Sequence, residues 1–166
     1  FAQPWTVSNE RHTFGTARAE VDLGANAVAW AAAGLRNGQE FNILAGIDVN
    51  AVNGDATMSR FDNIRKDQVR TGEVGVRGAL RTGFIKHMLS ASASGFHSES
   101  RNAYGLSDFA GFASNVYMPR DVAAPSSSFF TGGDMGNPLV TSKAILSSLA
   151  IADTLSLLDD TVLVNL

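Results

Sequence analysis

The sequence predicts an all-β chain, an antiparallel meander of about six strands, and three observations support this prediction. Polar and apolar residues alternate with a period of two in several segments, as in strands whose two faces meet different surroundings. The connections between these segments are alternately very short and very long. The longest apolar run, 27–35, is far shorter than the roughly 20 residues of a membrane-spanning helix. Together these features are typical of a segment of a transmembrane β-barrel with long extracellular loops.

The first predicted hairpin begins with strand 13–23, where the alternation is clearest. Its polar side chains share one face: Thr16, Arg18, Glu20 and Asp22. A short turn, 22–26, leads to the apolar segment 27–35, whose orientation the pattern does not define. Alanine favours a helix in this segment. Gly24 before it, Gly34 within it and the preceding strand favour a strand.

The second predicted hairpin joins strand 69–80 to strand 86–97 through a short turn at 81–83. Glycine recurs at every third position in the first of these strands, as Gly72, Gly75 and Gly78. That spacing opposes a helix and suits the bends of a barrel wall. In the second strand, serines alternate with apolar residues between positions 89 and 94.

The third predicted hairpin joins strand 143–157 to strand 161–166 through a short turn at 158–160. Alternation is weaker here, and a helix with apolar residues spaced by one turn is an alternative for 143–157. We predict a strand because the turn leads directly into another β-rich run. The three hairpins together account for the six strands.

Four charged side chains are expected on the inner face of this sheet: Arg18, Glu20, Glu73 and Arg77. We interpret them as a ladder of salt bridges across neighbouring strands. The functional alternative is that they contact something that fills the lumen of the barrel.

The first long connection is predicted at 37–68. Its segment 48–55 is similar to a calcium-binding loop, but the twelfth position counted from Asp48 is Ser59, where an EF-hand has glutamate. The favoured interpretation is a hairpin turn at Asn53-Gly54 that extends the barrel wall.

The second long connection, 98–138, holds six of the fourteen aromatic residues of the chain among many serines, glycines and prolines. Such rings either pack the loop on itself or line a ligand site. Arginines in the loop either meet an anionic ligand or pair with neighbouring acids on the surface. The candidate ligand-binding residues are Arg101, Tyr104, Phe109, Phe112, Tyr117 and Arg120.

Composition narrows the function classes. The net charge is -3 without a basic cluster, which argues against nucleic acid as a partner. There is no cysteine, so a disulfide scaffold and a thiolate metal site are excluded. No catalytic motif is present, and His12, His87 and His97 are far apart. We therefore predict no enzyme activity, no catalytic or metal-binding residue and no directly bound cofactor.

The ends of the chain predict a piece of a longer protein. It opens on Phe1 without a signal peptide, and it stops inside the apolar run 162–166. Six strands in lipid would leave two open edges, which is untenable without partners. Residues 1–166 are therefore expected to be a partial barrel whose remaining strands lie elsewhere in the parent chain.

Four stretches resemble the barrel region of TonB-dependent siderophore receptors, and they cover nearly the whole chain in order. They are NERHTFGTARAEVDLGANAVAWAAAGLRNGQE, RFDNIRKDQVRTGEVGVRGALRTGFIKH, ESRNAYGLSDFAGFASNVYMP and LAIADTLSLLDDTVLVNL. The phrases DLGANAVAWAAAG and ADTLSLLDD are the most specific part of the resemblance.

The resemblance implies a receptor of the bacterial outer membrane that binds and imports ferric siderophores with energy coupled through TonB. It implies a large barrel with a folded plug in its lumen. The implied partners are the ferric siderophore, outer-membrane lipid, the plug domain of the same parent chain, and TonB through an N-terminal part absent here. Iron would be carried by the siderophore. No family motif transfers a binding residue to this chain, so the six loop candidates rest on composition and placement.

Two other classes remain as alternatives. A porin or an autotransporter translocator would explain the alternating connections equally well, but not the aromatic loop. A soluble β-sandwich for adhesion or structure would need large residues on its inner faces, whereas these strands carry mainly alanine, glycine and valine.

Overall fold

The computed structural model describes residues 2–158 and 161–166. Within them the protein is all-β, and its long strands form the predicted antiparallel meander. The strands are β1 (Val7–Asp22), β2 (Ala27–Val49), β3 (Asp55–Thr82), β4 (Ile85–Leu106), β5 (Phe112–Asn115), β6 (Phe130–Gly132), β7 (Leu139–Leu157) and β8 (Val162–Asn165). No helix in the described residues is long and apolar enough to cross a membrane.

The meander has the six strands that the sequence predicts, in the order β1-β2-β3-β4-β7-β8. The two short strands are additional: β5 pairs with β3, and β6 pairs with β4. β1 and β8 are the two ends of the order, so the sheet is open in the part of the chain that the structure describes. The strand interpretation of 143–157 is confirmed, and its helical alternative is wrong.

The connection predicted at 37–68 is an extended hairpin, as the favoured interpretation predicted, and not an irregular loop. β2 continues to Val49, and β3 begins at Asp55, so only a tight turn at 50–54 separates them. The backbone N–H of Asn50 donates to the carbonyl of Asp55 at 2.7 Å across this turn. The predicted hairpin is thereby confirmed, but its turn comprises residues 50–54 and not Asn53-Gly54 alone. The alternation weakens in these strand extensions, because polar residues occupy both faces.

The second long connection is shorter than predicted. β4 continues to Leu106 and β7 begins at Leu139, which leaves 107–138 between them. The short turns after β1 and after β3 lie where the sequence places them. The third, at 158–160, includes Asp159 and Asp160, which lie outside the described residues.

The chain divides into two compact units. We call Phe1–Thr13, Asn37–Gln68 and Glu99–Lys143 the loop unit. We call Phe14–Arg36, Val69–Ser98 and Ala144–Leu166 the wall unit. The buried hydrophobic residues of the described chain all belong to the loop unit: Ala56, Met58 and Ala103.

The wall unit instead exposes its large apolar side chains. Leu149 is 86% exposed and Ile151 is 85% exposed, and further aliphatic side chains along the strands are more than half exposed: Val21, Leu35, Val74 and Ile145. Soluble proteins rarely leave a contiguous apolar surface of this kind open to water. The wall unit therefore has the surface of a sheet that needs an apolar environment around it.

The four charged residues predicted on one face of the wall unit do form contacts across strands. Glu20 accepts from Nη2 of Arg18 at 2.7 Å and from Nη2 of Arg77, on β3, at 3.1 Å. Glu73 accepts instead from the indole N–H of Trp30 on β2. The predicted ladder is therefore centred on Glu20, and an indole takes the place of the second acid–base pair.

Trp30 is the centre of this polar cluster. The guanidinium carbons of Arg18 and Arg77 lie 5.6 and 6.0 Å from the ring centroid, within the range of cation–π attraction. Gly75 lies under the ring, because a Cβ at this position would overlap Cζ2 of the indole. The glycine on β3 thus makes room for the tryptophan on β2.

Replacing Gly75 with alanine is expected to lower the free energy of unfolding by about 1 to 2 kcal/mol, because the methyl group must displace the Trp30 ring. In a Trp30→Ala background the same change should have little effect, so the two substitutions should be strongly coupled. Denaturant unfolding of the two single variants and the double variant measures the coupling. Gly72→Ala is the control, since a Cβ there meets nothing closer than 4.0 Å. Equal effects of the two alanine substitutions would contradict the prediction.

Candidate functional site

Within the connection between β4 and β7, the segment 120–127 has no helix or strand, and we call it the strap. Gln3, only 2% exposed, holds its start. Its Nε2 donates to the carbonyl of Arg120 at 2.9 Å, and its Oε1 accepts from the N–H of Val122 at 3.0 Å. Nε1 of Trp5 donates to the carbonyl of Val122 at 3.1 Å. These side chains bind backbone groups of the strap as a neighbouring strand would.

Arg60 and Asp62 of β3 hold the other end of the strap. The two side chains form a bidentate ion pair, with Nε–Oδ1 at 2.8 Å and Nη2–Oδ2 at 2.7 Å. Nη1 of Arg60 donates to the carbonyl of Pro125 at 2.9 Å, and Oγ of Ser127 donates to Oδ2 of Asp62 at 2.6 Å. The side chains of the pair are 18% and 10% exposed. Bidentate pairs shielded from water are among the stronger polar contacts, so the strap is firmly held.

β4 runs close to the strap at Gly105, which is buried. A Cβ on Gly105 would lie 2.5 Å from the carbonyl oxygen of Ser127, which is inside van der Waals contact. The residue is not among the glycines with positive φ. It is therefore glycine for space and not for backbone conformation.

The end of the strap and the turn at 107–112 are the walls of a cleft with a volume of about 370 Å³. Phe112, Pro125 and Phe129 supply its apolar surface, and serine hydroxyls are interleaved with them. The volume falls in the range of small-molecule sites, which are mostly apolar with a few polar groups. The cleft is the best candidate ligand site in the described part of the loop unit.

Aromatic side chains pack in a continuous row that ends at Phe129 in the lining of this cleft. Ring centroids are separated by 6.3 Å between Phe61 and Tyr104 and by 6.1 Å between Tyr104 and Phe130. Phe109 then contacts Phe130 at 6.4 Å and Phe129 edge-on at 5.7 Å. Such pairs add to the stability of the loop beyond the area they bury. Packing, the first of the two alternatives for the loop aromatics, thus accounts for Tyr104, while Phe109 and Phe129 remain 67% and 60% exposed.

The structure brings three of the predicted site residues to one region. Tyr104 and Phe109 belong to the aromatic row, and Phe112 lines the cleft beside Phe129. Tyr117 contacts a different feature: its ring lies against Gly54 in the turn between β2 and β3. The role of all these rings in ligand binding stays a prediction.

The two predicted arginines differ in their surroundings. Nε of Arg101 donates to Oε1 of Glu99 at 2.9 Å, which is the surface pairing that the sequence left as an alternative. Arg120 is exposed at the start of the strap, where its carbonyl binds Gln3. Neither arginine lines the cleft.

Sequence reasoning missed the residues that hold the strap: Gln3, Trp5, Arg60 and Asp62. One signal was present, because an acid and an arginine two positions apart lie on the same face of a strand. The structure shows this ion pair repeatedly: Arg18–Glu20, Arg60–Asp62, Arg65–Asp67 and Glu99–Arg101. The sequence does not reveal which of these pairs is buried.

The segment similar to a calcium-binding loop forms a polar turn. Oδ2 of Asp55 accepts from Nδ2 of Asn53 at 2.8 Å, and Oδ1 accepts from Nδ2 of Asn115 on β5 at 3.0 Å. In the described chain, no three His, Cys, Asp or Glu side chains are grouped as metal ligands would be. The turn therefore links β5 to the hairpin of β2 and β3.

The hydrogen bond from Asn53, and next that from Asn115, lower the pKa of Asp55 below its usual range. A lowered folded-state pKa means that this contribution to stability is present above the unfolded-state pKa and is lost as the pH falls through the folded one. We therefore expect β5 to stay attached to the hairpin at neutral pH and to loosen from it as the pH falls through the folded-state pKa of Asp55. Pepsin cleavage near Tyr117, followed as the pH is lowered, measures this loosening. Asp55→Asn should remove the pH dependence, and an unchanged profile in that variant would contradict the assignment.

The described residues define an all-β class of protein. It is an open antiparallel meander whose wall unit exposes large apolar side chains and whose loop unit contains a cleft. No family model matches the chain. A ferrichrome receptor, FcuA of Yersinia enterocolitica, is 28% identical to it over 162 residues, which is 98% of this chain and 21% of the receptor. The chain thus spans about a fifth of the length of this relative.

The fold also matches a solved structure. The crystal structure of BauA, the ferric preacinetobactin receptor from Acinetobacter baumannii, superimposes with a TM-score of 0.80 and 20% sequence identity. The match covers 99% of this chain and 24% of the receptor chain. The resemblance predicted from the sequence is therefore confirmed over nearly the whole chain, in sequence by one such receptor and in fold by another.

Proposed function

We propose that this chain is part of the β-barrel of an outer-membrane receptor that binds and imports ferric siderophores with TonB-coupled energy. The observation that carries the proposal is its similarity to a ferrichrome receptor along 98% of its length. The likeness in fold to a ferric preacinetobactin receptor supports it. The protein is then a receptor and transporter and not an enzyme.

The wall unit supports a place in the membrane. Its exposed Leu149, Ile151 and Val74 would face the hydrocarbon of the outer membrane, where they cost nothing to expose. A soluble β-sandwich would bury such side chains between two sheets. The partners we propose are outer-membrane lipid around the wall and, against the polar face with Glu20 and Trp30, the plug domain of the same parent chain.

The loop unit supports ligand capture. Its strap is held at both ends, so the cleft beside Phe112 and Phe129 is formed before any ligand arrives. A site formed in advance avoids the entropy cost of ordering a loop on binding. A porin or an autotransporter translocator, the other barrels considered, needs no such cleft. Iron would enter as the siderophore complex, with no directly bound cofactor.

The test is iron uptake by cells that carry the full-length protein and lack other siderophore receptors. The cells are offered ferrichrome, ferric preacinetobactin or a ferric tris-catecholate, each loaded with radioactive iron. We expect uptake of at least one complex, and its loss when TonB is deleted or when residues 107–138 are replaced by a glycine–serine linker. A control variant replaces only the turn at 50–54. If the protein reaches the cell surface and neither binds nor imports any of the complexes, the proposal is wrong.

A further inference from the structure

We propose that the cleft beside the strap is a subsite for an electroneutral ferric tris-hydroxamate complex, and that it selects against a trianionic tris-catecholate. This inference rests on the proposed function and names its substrate class. It is argued from charge, from the lining of the cleft and from the rigidity of its wall.

The charge of the chain is unevenly divided. In the wall unit acidic and basic residues are equal in number, so the net charge of -3 falls entirely on the loop unit. A surface of one sign raises the local concentration of ligands with the opposite sign, lowers that of ligands with the same sign and leaves neutral ligands unaffected. The loop unit therefore repels anions.

Three of the five arginines of the loop unit are already paired with acids, and the other two, Arg11 and Arg120, do not line the cleft. Arg60 is paired with Asp62, Arg65 with Asp67, and Arg101 with Glu99. Each guanidinium thus already has a carboxylate two residues away on its own strand. A site for a trianion needs cations free to meet it, and none of these arginines lines the cleft.

The lining of the cleft also offers no positive charge to an anionic ligand. Its apolar surface comes from Phe112, Pro125 and Phe129, and its polar groups are serine hydroxyls together with the single charged residue Asp108. Oδ1 of Asp108 accepts from the N–H of Ala110 at 2.9 Å, which fixes the carboxylate at the edge of the cleft. The cleft therefore offers rings, hydroxyl groups and one negative charge.

Ligand chemistry then decides between the classes of ferric complex. Three hydroxamate monoanions neutralise Fe³⁺, whereas three catecholate dianions leave the complex trianionic. A neutral complex with an amide and methylene periphery can lie on Phe112 and Phe129 and exchange hydrogen bonds with the serines. The cleft, at about 370 Å³, is large enough for one side of such a complex. A trianion would meet Asp108 with like charge and without a compensating cation.

The experiment measures the affinity of the full-length receptor, in detergent, for a neutral ferric tris-hydroxamate and for a trianionic ferric tris-catecholate. We expect the neutral complex to bind at least about tenfold more tightly. Asp108→Asn keeps the hydrogen bond to Ala110 and removes the charge, so it should reduce this preference about threefold at low salt. Asp134→Asn is the matched control, because Oδ1 of Asp134 likewise accepts from a backbone N–H, that of Gly136, but Asp134 does not line the cleft.

The outcomes separate this inference from the proposed function. If the trianionic complex binds more tightly, the inference is overturned while the receptor proposal stands. If Asp134→Asn changes the preference as much as Asp108→Asn does, the selectivity does not arise in the cleft and the subsite is overturned. If no ferric complex binds, the proposed function itself fails. A preference for the neutral complex that only Asp108→Asn weakens supports the subsite.

Discussion

Replacing Gly105 with alanine is expected to detach the strap from β4 and to abolish most of the ferric-siderophore binding that we propose for the full-length protein. The added Cβ would lie 2.5 Å from the carbonyl oxygen of Ser127. This obstacle is backbone, so it cannot rotate away as the end of a long side chain can. We expect a cost of about 2 to 4 kcal/mol to the docked state of the strap, at the upper end of overpacking effects. At the temperature of an assay, most molecules would then have a displaced strap.

Hydrogen exchange shows whether the strap has moved. Two backbone N–H groups report on the strap: that of Val122 donates to Oε1 of Gln3, and that of Phe129 donates to the carbonyl of Leu106. Both should exchange much faster in Gly105→Ala than in the wild type. Gly95→Ala is the matched control on the same strand, because a Cβ at Gly95 meets nothing within 4 Å. Unchanged exchange in Gly105→Ala, or an equal change in the control, would show that this close approach does not hold the strap.

The loss of binding follows from the place of the strap in the cleft. Pro125, near the end of the strap, and Phe129, two residues after it, line one side of the cleft. If the wall moves, the rings no longer face Phe112 across the cleft. Under the proposed function, a neutral ferric complex would then lose its apolar contacts with Phe129. Equilibrium binding with the neutral complex therefore gives a second measurement of the same prediction.

The sequence predicted the long strands because alternation records the two faces of a sheet. It works best where the faces differ most, as in 13–23, with charge on one side and alanine or valine on the other. It failed at 37–49, where polar residues fall on both faces and the period of two disappears. The strand continues there because the backbone ladder needs no particular side chains, so β2 extends well beyond the predicted apolar segment 27–35.

The candidate site was predicted only in part, for a related reason. The aromatic loop was visible in composition, and Phe112 does line the cleft, while Tyr104 and Phe109 belong to the row that ends there. The contacts that hold the strap join residues more than a hundred positions apart, as in Gln3 to Val122. They bind backbone groups, so the strap sequence carries no matching signal. Neither period nor motif can reveal such a contact.

Asp62→Ala is expected to loosen the far end of the strap and to weaken the siderophore binding that we propose. The substitution removes the acceptor for Ser127 and leaves the Arg60 guanidinium, whose side chain is 18% exposed, without its carboxylate. Breaking a buried ion pair by removing one partner costs several kcal/mol, and for this slightly exposed pair we expect about 2 to 3 kcal/mol. Arg60 would keep its hydrogen bond to Pro125, so the strap should open at Ser127 first.

Glu99→Ala is the control for this prediction, since it makes the same change of charge in a pair of the same spacing. The Arg101 side chain of that pair is 47% exposed, so the loss should be about 0 to 1 kcal/mol. Hydrogen exchange between residues 122 and 129 should accelerate in Asp62→Ala and stay near the wild-type rate in Glu99→Ala. If both variants exchange at the same rate, the buried pair does not hold the strap. Because Asp62→Ala acts from β3 and Gly105→Ala from β4, agreement between them would identify the docked strap, and not either strand alone, as the element on which the cleft depends.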